Sequence, residues 1–382
     1  MQALVVTSKG AEEICLKEIQ EIAKVKNAKI GNSIVIFDTK EEMQLCEICY
    51  RSQTISKAMA LFSEFIVSED IEVTLENLRS SVNSADLKAW LSSEKTCRTA
   101  CIRSGEHGFT SVDIEINAAS LIKETAIARY DIRQKTDIDD PTVIFLIIIH
   151  DDKGYFGVDF SGIDLSKRQY KVFNHPESLK GTTGGILAAH ADISPGMTII
   201  DPFMGSGVIP IELGLKASGI SPHYYSREKL AFTNFDFFKR EGFFESQKET
   251  EIGVFGFDNQ LRFLKATQKN AKLAGVEKYM KLSKIDLEWV DLKFEKASVD
   301  MIITDPPRQA KTKNPETLEK IYDEFFSQAA ILLKKKGKII LFTRDYDLIE
   351  KAALNHKFKI TQSHSIFQGK ETFNIINFER GK

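Results

Sequence analysis

The residues best suited to chemistry lie in the second half of the chain, as acids and glycines placed after short apolar runs. Asp201, Pro202, Phe203, Met204, Gly205, Ser206 and Gly207 follow one such run and precede VIPIELGLKAS, so they read as the turn from a strand into a helix. Glycines in that turn let the backbone approach a ligand at the carboxyl end of a sheet. A dinucleotide fingerprint would need glycine where Pro210 stands, and a phosphate-binding P-loop would need Gly-Lys-Ser/Thr, which is absent. Nicotinamide and nucleoside triphosphate are disfavoured accordingly. Three more acids follow later runs: Asp258, Asp286, and Asp305 in Asp305-Pro306-Pro307. A carboxylate at the second strand end, where Asp258 stands, can accept both hydroxyls of a ribose. A single acid at a strand end is an ordinary cap or turn residue, but four along one rim describe a ligand site.

The elements that must carry these residues alternate in the manner of βαβ units. Strands are expected at Thr198 to Asp201, Gly253 to Asp258, Lys281 to Asp286, Val299 to Thr304 and Lys338 to Phe342, with helices to about Ser218, over Gln260 to Ala274 and over Glu316 to Leu333. Such alternation specifies a parallel sheet covered on both faces. Phe358 to Phe367 and Thr372 to Glu379, joined by Gln368-Gly369-Lys370-Glu371, read as a hairpin that makes one edge antiparallel. The first half reads as a small α/β unit over 1–55, then a mixed sheet with helices over 56–165, including a helix containing Leu87 and Trp90 and the buried strand Val143 to His150. A shift to basic residues, proline and glycine after Gly162 marks the junction, and the last unit spans 170–382.

Composition bounds the rest. The 382 residues are 42% hydrophobic and 28% charged, which excludes bulk disorder and coiled coil. A formal net charge of -2 gives no global attraction for a polyanion, so a nucleic-acid partner must be held by local patches. Val143 to Ile149, the longest apolar run, is far too short to span a bilayer, and MQALVVTSKG lacks the marks of a secretion signal, so the cytoplasm is the expected location. Cys97 and Cys101 on one strand would stand about 13 Å apart. Two thiolates on one zinc must be within about 5 Å, so no metal is expected.

The motif set resembles a class I S-adenosylmethionine-dependent methyltransferase: DPFMGSG resembles its first motif, and TDPP resembles the (D/N)PP(Y/F) motif of enzymes that methylate exocyclic amines. IDLSKRQYKVFNHPESLKGTTGG, LKASGISPHYYSREKLAFTNFDFF and NQLRFLKATQKNAKLAGV resemble the THUMP-containing RNA guanine-N2 methyltransferases, in particular those acting on tRNA, and RTACIRSGEHGFTSVDIEINAASLI resembles the THUMP domain itself. The resemblance implies a Rossmann-like methyltransferase with a mixed seven-stranded sheet, preceded by ferredoxin-like and THUMP α+β domains. It implies S-adenosyl-L-methionine as cofactor. Asp201 to Gly207 would cradle its methionine part, Asp258 the ribose and Asp286 the adenine amine, with Ser178 and Leu179 closing the site. N2-methylguanosine in tRNA is the implied product.

Methyl transfer to an amine needs nitrogen, carbon and sulfur in line. Asp305 and the Pro306 carbonyl would each accept one amine hydrogen, and consecutive prolines, Pro306 and Pro307, leave no backbone donor there. Arg308 stands where the family carries an aromatic that stacks on the base, and a guanidinium can also stack. Arg98, Arg103, His107, Lys123, Arg129, Lys167 and Arg168 are candidates for a phosphate track. The aromatics between Gly219 and Gly253 are expected to pack on the sheet, with a wall or lid of the nucleoside pocket as the rival reading. Ribosomal RNA as substrate, and an RNA-docking protein with a methyltransferase domain decayed around Arg308, stay open.

Overall fold

Short, near-continuous apolar runs such as Val143–His150 and Ile34–Asp38 build two sheets with buried residues on both faces. The computed structural model describes residues 1–174, 178–245, 249, 251–309, 315–369 and 371–381, so Lys370 of the expected hairpin turn lies outside the described residues. In the first half, β1 (Gln2–Val6), β2 (Lys26–Ile30), β3 (Ile34–Asp38), β4 (Lys57–Ile66), β5 (Thr96–Ser104), β6 (Lys135–Thr136), β7 (Val143–His150) and β8 (Lys153–Asp159) form one sheet in the order β2-β3-β1-β4-β8-β7-β5-β6. Because β1 pairs with both β3 and β4, the residues on either side of position 55 share that sheet. Helices α1 (Glu12–Ile22), α2 (Glu42–Arg51), α3 (Ile71–Ser84) and α4 (Ser111–Tyr130) bury Ile19, Ile48, Leu78 and Leu121 against Val5, Val35, Phe145 and Ile147. Leu87 and Trp90 lie beyond the end of α3 and not within a helix.

The second sheet orders β9 (Thr198–Asp201), β10 (Gly253–Asp258), β11 (Met280–Lys284), β12 (Val299–Thr304), β13 (Leu333–Thr343), β14 (Phe358–Gln368) and β15 (Glu371–Arg380) as β11-β10-β9-β12-β13-β15-β14. The five strands β9 to β13 are parallel, and β15 inserts antiparallel between β13 and β14. One face carries α5 (Gly181–His190), α6 (Val208–Ser218) and α7 (Leu261–Ala274) over Ile199, Val254 and Ile303. The other carries α8 (Pro315–Leu332) and α9 (Tyr346–Asn355) over Ile200, Ile302 and Leu341. Strand order reverses between β9 and β12, the switch point at which α/β sheets open a crevice. No described helix is long and apolar enough to cross a membrane.

The two halves interlock through buried polar and aromatic contacts. Arg168, a candidate phosphate contact in the sequence, is fully buried and unavailable to RNA: its Nε donates to Glu212 Oε1 at 2.8 Å and its Nη2 to the Gln53 carbonyl at 2.6 Å. Gln53 Nε2 and the Tyr170 hydroxyl also donate to the Glu212 carboxylate, at 2.6 and 2.8 Å. A charge withdrawn from water requires such full partnering, which explains why this arginine faces α6. Phe232, Phe235, Phe237, Phe238, Phe243 and Phe244 pack on the core of the first sheet beside Tyr50, Trp90 and Phe160. They brace the halves, and the lid reading is set aside.

Candidate active site

At the switch point, Asp201 ends β9 and the chain turns through Gly205 and Gly207 into α6. Both glycines have left-handed φ, +52° and +87°, and a Cβ at Gly207 would stand 2.3 Å from the Thr267 side chain. The turn is clamped from its neighbours. Met204 N–H donates to the Phe257 carbonyl at 2.9 Å, Gly205 N–H to Asp258 Oδ2 at 3.2 Å, the Thr267 hydroxyl to the Gly205 carbonyl at 2.8 Å, and Asn270 Nδ2 to the Ser206 carbonyl at 3.0 Å. Thr267 and Asn270 were not singled out in the sequence. Their signal is two polar residues on the face of α7 that otherwise buries Phe263, Ala271 and Ala274.

A cavity of about 730 Å³ opens over this turn. It gathers Ser178, Leu179, Asp201, Pro202, Phe203, Gly205, Ser206, Asp258, Asp286, Asp305, Pro306, Pro307 and Arg308, while Gly207 stands behind the wall as the N-cap of α6. Ser178 and Ser206 hydroxyls meet at 2.8 Å, which ties the segment before α5 to the turn. Asp258 also accepts from Gln260 N–H at 2.8 Å at the start of α7. Strand β11 stops at Lys284, so Asp286 lies two residues past the strand end, exposed at the rim.

Asp201 is an internal brace. Its Oδ1 accepts from the Thr304 hydroxyl at 2.5 Å and the Phe203 N–H at 3.1 Å, and the residue is 2% exposed. Burial, reinforced by the charges of Asp305 and Asp258, raises its carboxyl from 3.8 to about 7. The folded chain therefore keeps a proton that the unfolded chain releases near pH 4, and this stabilising contribution is complete below about pH 4 and lost as the pH rises through about 7. Asp201→Asn keeps the acceptor oxygen and should flatten the decline of melting temperature between about pH 5 and 7.5. A pH profile identical to that of the parent would remove Asp201 as its source.

Across the cavity, Asp305 follows β12 and is paired with Arg308, whose Nε lies 3.0 Å from Oδ1 and whose Nη2 closes on Oδ2. The Tyr322 hydroxyl of α8 reaches the Pro307 carbonyl at 2.7 Å and Asp345 Oδ2 at 2.9 Å, and burial beside Asp345 pushes this phenol well up. Gln309 N–H donates to Asp345, the N-cap of α9, at 2.7 Å, so the loop after the two prolines is held from α8 and from the start of α9. Tyr322 and Asp345 also escaped sequence reading, since their positions give no local signal.

The basic candidates of the first half remain apart from this cavity. Arg103 lies 2.8 Å from His107 Nδ1, His107 Nε2 lies 2.8 Å from the Asp151 carbonyl, and Arg129 donates to the carbonyls of Asn83 and Ala85 at 2.7 and 2.8 Å, closing the end of α3. Arg98 and Lys123 line a second cavity of about 380 Å³ between β5 and α4, and Lys167 is exposed.

Comparison with known proteins bears on the whole chain. The family described as RMKL-like, methyltransferase domain, matches residues 168–372, more than half of the 382. A tRNA (guanine(6)-N2)-methyltransferase of Methanocaldococcus jannaschii is 28% identical over 376 residues, covering 97% of each protein. The ribosomal RNA large subunit methyltransferase K/L of Vibrio parahaemolyticus is 24% identical over 86% of this chain and 46% of its own length. Among solved structures, TrmN from Thermus thermophilus superposes with a TM-score of 0.72 at 20% identity over 99% of both chains. SMU.472, solved with SAH, reaches 0.80 at 18% identity over 100% of this chain and 98% of its own.

Proposed function

The chain belongs to the family of RMKL-like methyltransferase domains, and on that premise we propose that it is an S-adenosylmethionine-dependent RNA methyltransferase forming N2-methylguanosine in tRNA. The observation that carries this is the convergence in one cavity of the glycine turn with its acidic rim and of Asp305-Pro306-Pro307. Asp258 and Asp286 line the cavity together with Asp305, whose charge Arg308 balances, and a side chain at Gly207 would displace Thr267 and with it the cradle. The residues present fit the cofactor.

Gly205 and Ser206, with Pro202, Phe203, Ser178 and Leu179, would hold the methionine part, Asp258 the ribose and Asp286 the adenine amine. S-adenosylmethionine supplies an electrophilic methyl group when bound. The protein's part is to make an amine nucleophilic. A guanine amine is a poor nucleophile because its lone pair is delocalised into the ring. The Pro306 carbonyl and the Asp305 carboxylate would accept its two hydrogens and turn the lone pair toward the transferable methyl group, and the Asp305 carboxylate would take the proton that the amine sheds on methylation. Prolines at 306 and 307 keep competing donors away.

The Methanocaldococcus jannaschii relative, a tRNA (guanine(6)-N2)-methyltransferase that matches this chain along nearly its whole length, supports tRNA as substrate. Arg98, Arg103, His107, Lys123, Arg129 and Lys167 of the first half and the junction would supply phosphate contacts, and the cytoplasm is where such a substrate is met. Asp258→Ala should weaken S-adenosylmethionine by about 1 to 3 kcal/mol through lost charge-assisted hydrogen bonds, read by calorimetry. Unchanged affinity in the folded variant would remove Asp258 from the site. The function is tested by incubating the protein with labelled S-adenosylmethionine and total nucleic acid. Label in the tRNA fraction is expected, and label confined to ribosomal RNA or DNA would overturn the assignment.

A further inference from the structure

Helix α7 has one face that holds the glycine turn and another that stands in solvent. Phe263, Thr267, Asn270, Ala271 and Ala274 are buried, and Thr267 and Asn270 grip the turn from that side. At 3.6 residues per turn, Arg262, Lys265, Lys269 and Lys272 fall within about 80° of arc on the opposite side. All four are exposed, and α7 contains no acid to balance them. Among the described residues none of them is ion-paired: Arg262 donates to Gln260 Oε1 at 2.8 Å, and Lys269 Nζ stands 4.5 Å from the ring centroid of Phe173. Every other described helix that carries a lysine or arginine also carries an acid, as α8 sets Glu316, Glu319 and Asp323 beside Lys320. In a chain of net charge -2, an acid-free cationic stripe is an exception. A second feature adjoins it. Phe173 is 38% exposed although its backbone is fixed at both ends, its N–H donating to Asn270 Oδ1 at 3.0 Å and its carbonyl accepting from Asn270 Nδ2 at 2.8 Å.

We propose that the outer face of α7, together with Phe173, is a docking surface for the RNA backbone, an inference that rests on reading the chain as an RNA methyltransferase. Cations in a row follow successive phosphates and release their counterions, while a rigidly presented ring stacks on an unpaired base whatever its identity. The stripe is placed to serve the cavity. Gln260 and Phe263 of the same helix line its wall, so the cations begin at its mouth and run about 15 Å away from it at 1.5 Å per residue. Asp258, Asp286 and Glu288 also line the cavity and repel a phosphate backbone, which steers the chain of the RNA off that rim and onto the basic face. Because the inner face of α7 fixes the glycine turn, phosphates held on its outer face stand at a set distance from the cofactor. Substrate contacts thereby extend to the methyltransferase half itself.

The test is fluorescence anisotropy of labelled bulk tRNA with the full-length protein over a range of salt concentrations. Combining Lys265→Gln, Lys269→Gln and Lys272→Gln should weaken binding about tenfold to a hundredfold near about 0.1 M salt and make the slope of log affinity against log salt shallower by about 2 to 3. The same charge change at Lys335, Lys336 and Lys338, at the amino end of β13 and away from the cavity, should alter neither quantity. Phe173→Ala should weaken single-stranded RNA about tenfold with the slope unchanged, since stacking releases no counterions. Parent-like affinity for S-adenosylhomocysteine shows that each variant is folded. A triple variant that keeps the parent affinity and slope, or loses no more than the β13 control, would overturn the proposal. Binding of phosphatidylserine vesicles through these lysines, without binding of tRNA, would assign the face to a membrane and overturn it too. Methyl transfer to no RNA by a protein that binds tRNA through α7 would defeat the proposed function alone. An active enzyme whose tRNA affinity ignores these lysines would defeat this inference alone.

Discussion

Replacing Asp305 with alanine is expected to lower methyl transfer to tRNA by about two to four orders of magnitude, the usual effect of losing a positioned polar group at the reacting atoms. Two losses combine. The amine keeps one acceptor, the Pro306 carbonyl, and is free to rotate away from the in-line geometry. Arg308, now without the carboxylate that grips both its nitrogens, leaves an uncompensated cation beside the place where a sulfonium binds. Asp305→Asn retains an acceptor oxygen and should lose less. S-adenosylhomocysteine, which has no positive sulfur, should bind Asp305→Ala about as well as the parent protein, so calorimetry separates a failure of chemistry from a failure of binding. Normal turnover in Asp305→Ala would place the chemistry elsewhere.

Glu212→Ala is expected to destabilise the protein by about 3 to 5 kcal/mol, because it leaves the wholly buried guanidinium of Arg168 without its counter-charge. The effect extends beyond one pair, since Tyr170 loses its acceptor in the same step and Gln53 keeps only the Glu212 backbone carbonyl. The exposed pair Lys17–Asp192 also joins α1 to the second half, yet its side chains are 58% and 82% exposed, and Lys17→Ala should cost less than about 1 kcal/mol. Denaturant unfolding of the two variants gives the contrast. Equal, small losses would show that the buried network does not hold the halves together.

The methyltransferase sheet was legible in the sequence because its strands are short apolar runs separated by amphipathic helices. All five parallel strands and the terminal hairpin lie where periodicity places them, and the strand ends carry the acids that now face one cavity. Helix α5 was not legible, since GTTGGILAAH is buried along almost its whole length and so has no polar side to give a period. Strand β8 and helix α9 were also passed over. Arg168 was misread for a different reason: a lone basic residue in a polar linker looks solvated until the fold brings Glu212 and Gln53 to it, a contact across 44 and 115 positions of chain. The same limit hid Phe373 under Arg308, and Tyr322 and Asp345 around the loop that carries it, because neither strand pairing nor packing across helices is written in local spacing.

If this cavity methylates the amine of guanine in tRNA, nucleoside mass spectrometry of bulk tRNA incubated with the protein and methyl-labelled S-adenosylmethionine will show it. The expected result is a single labelled product, N2-methylguanosine, formed by the parent protein and lost in Asp305→Ala. Label on another nucleoside, or no label in tRNA from a protein that binds the cofactor, would contradict it.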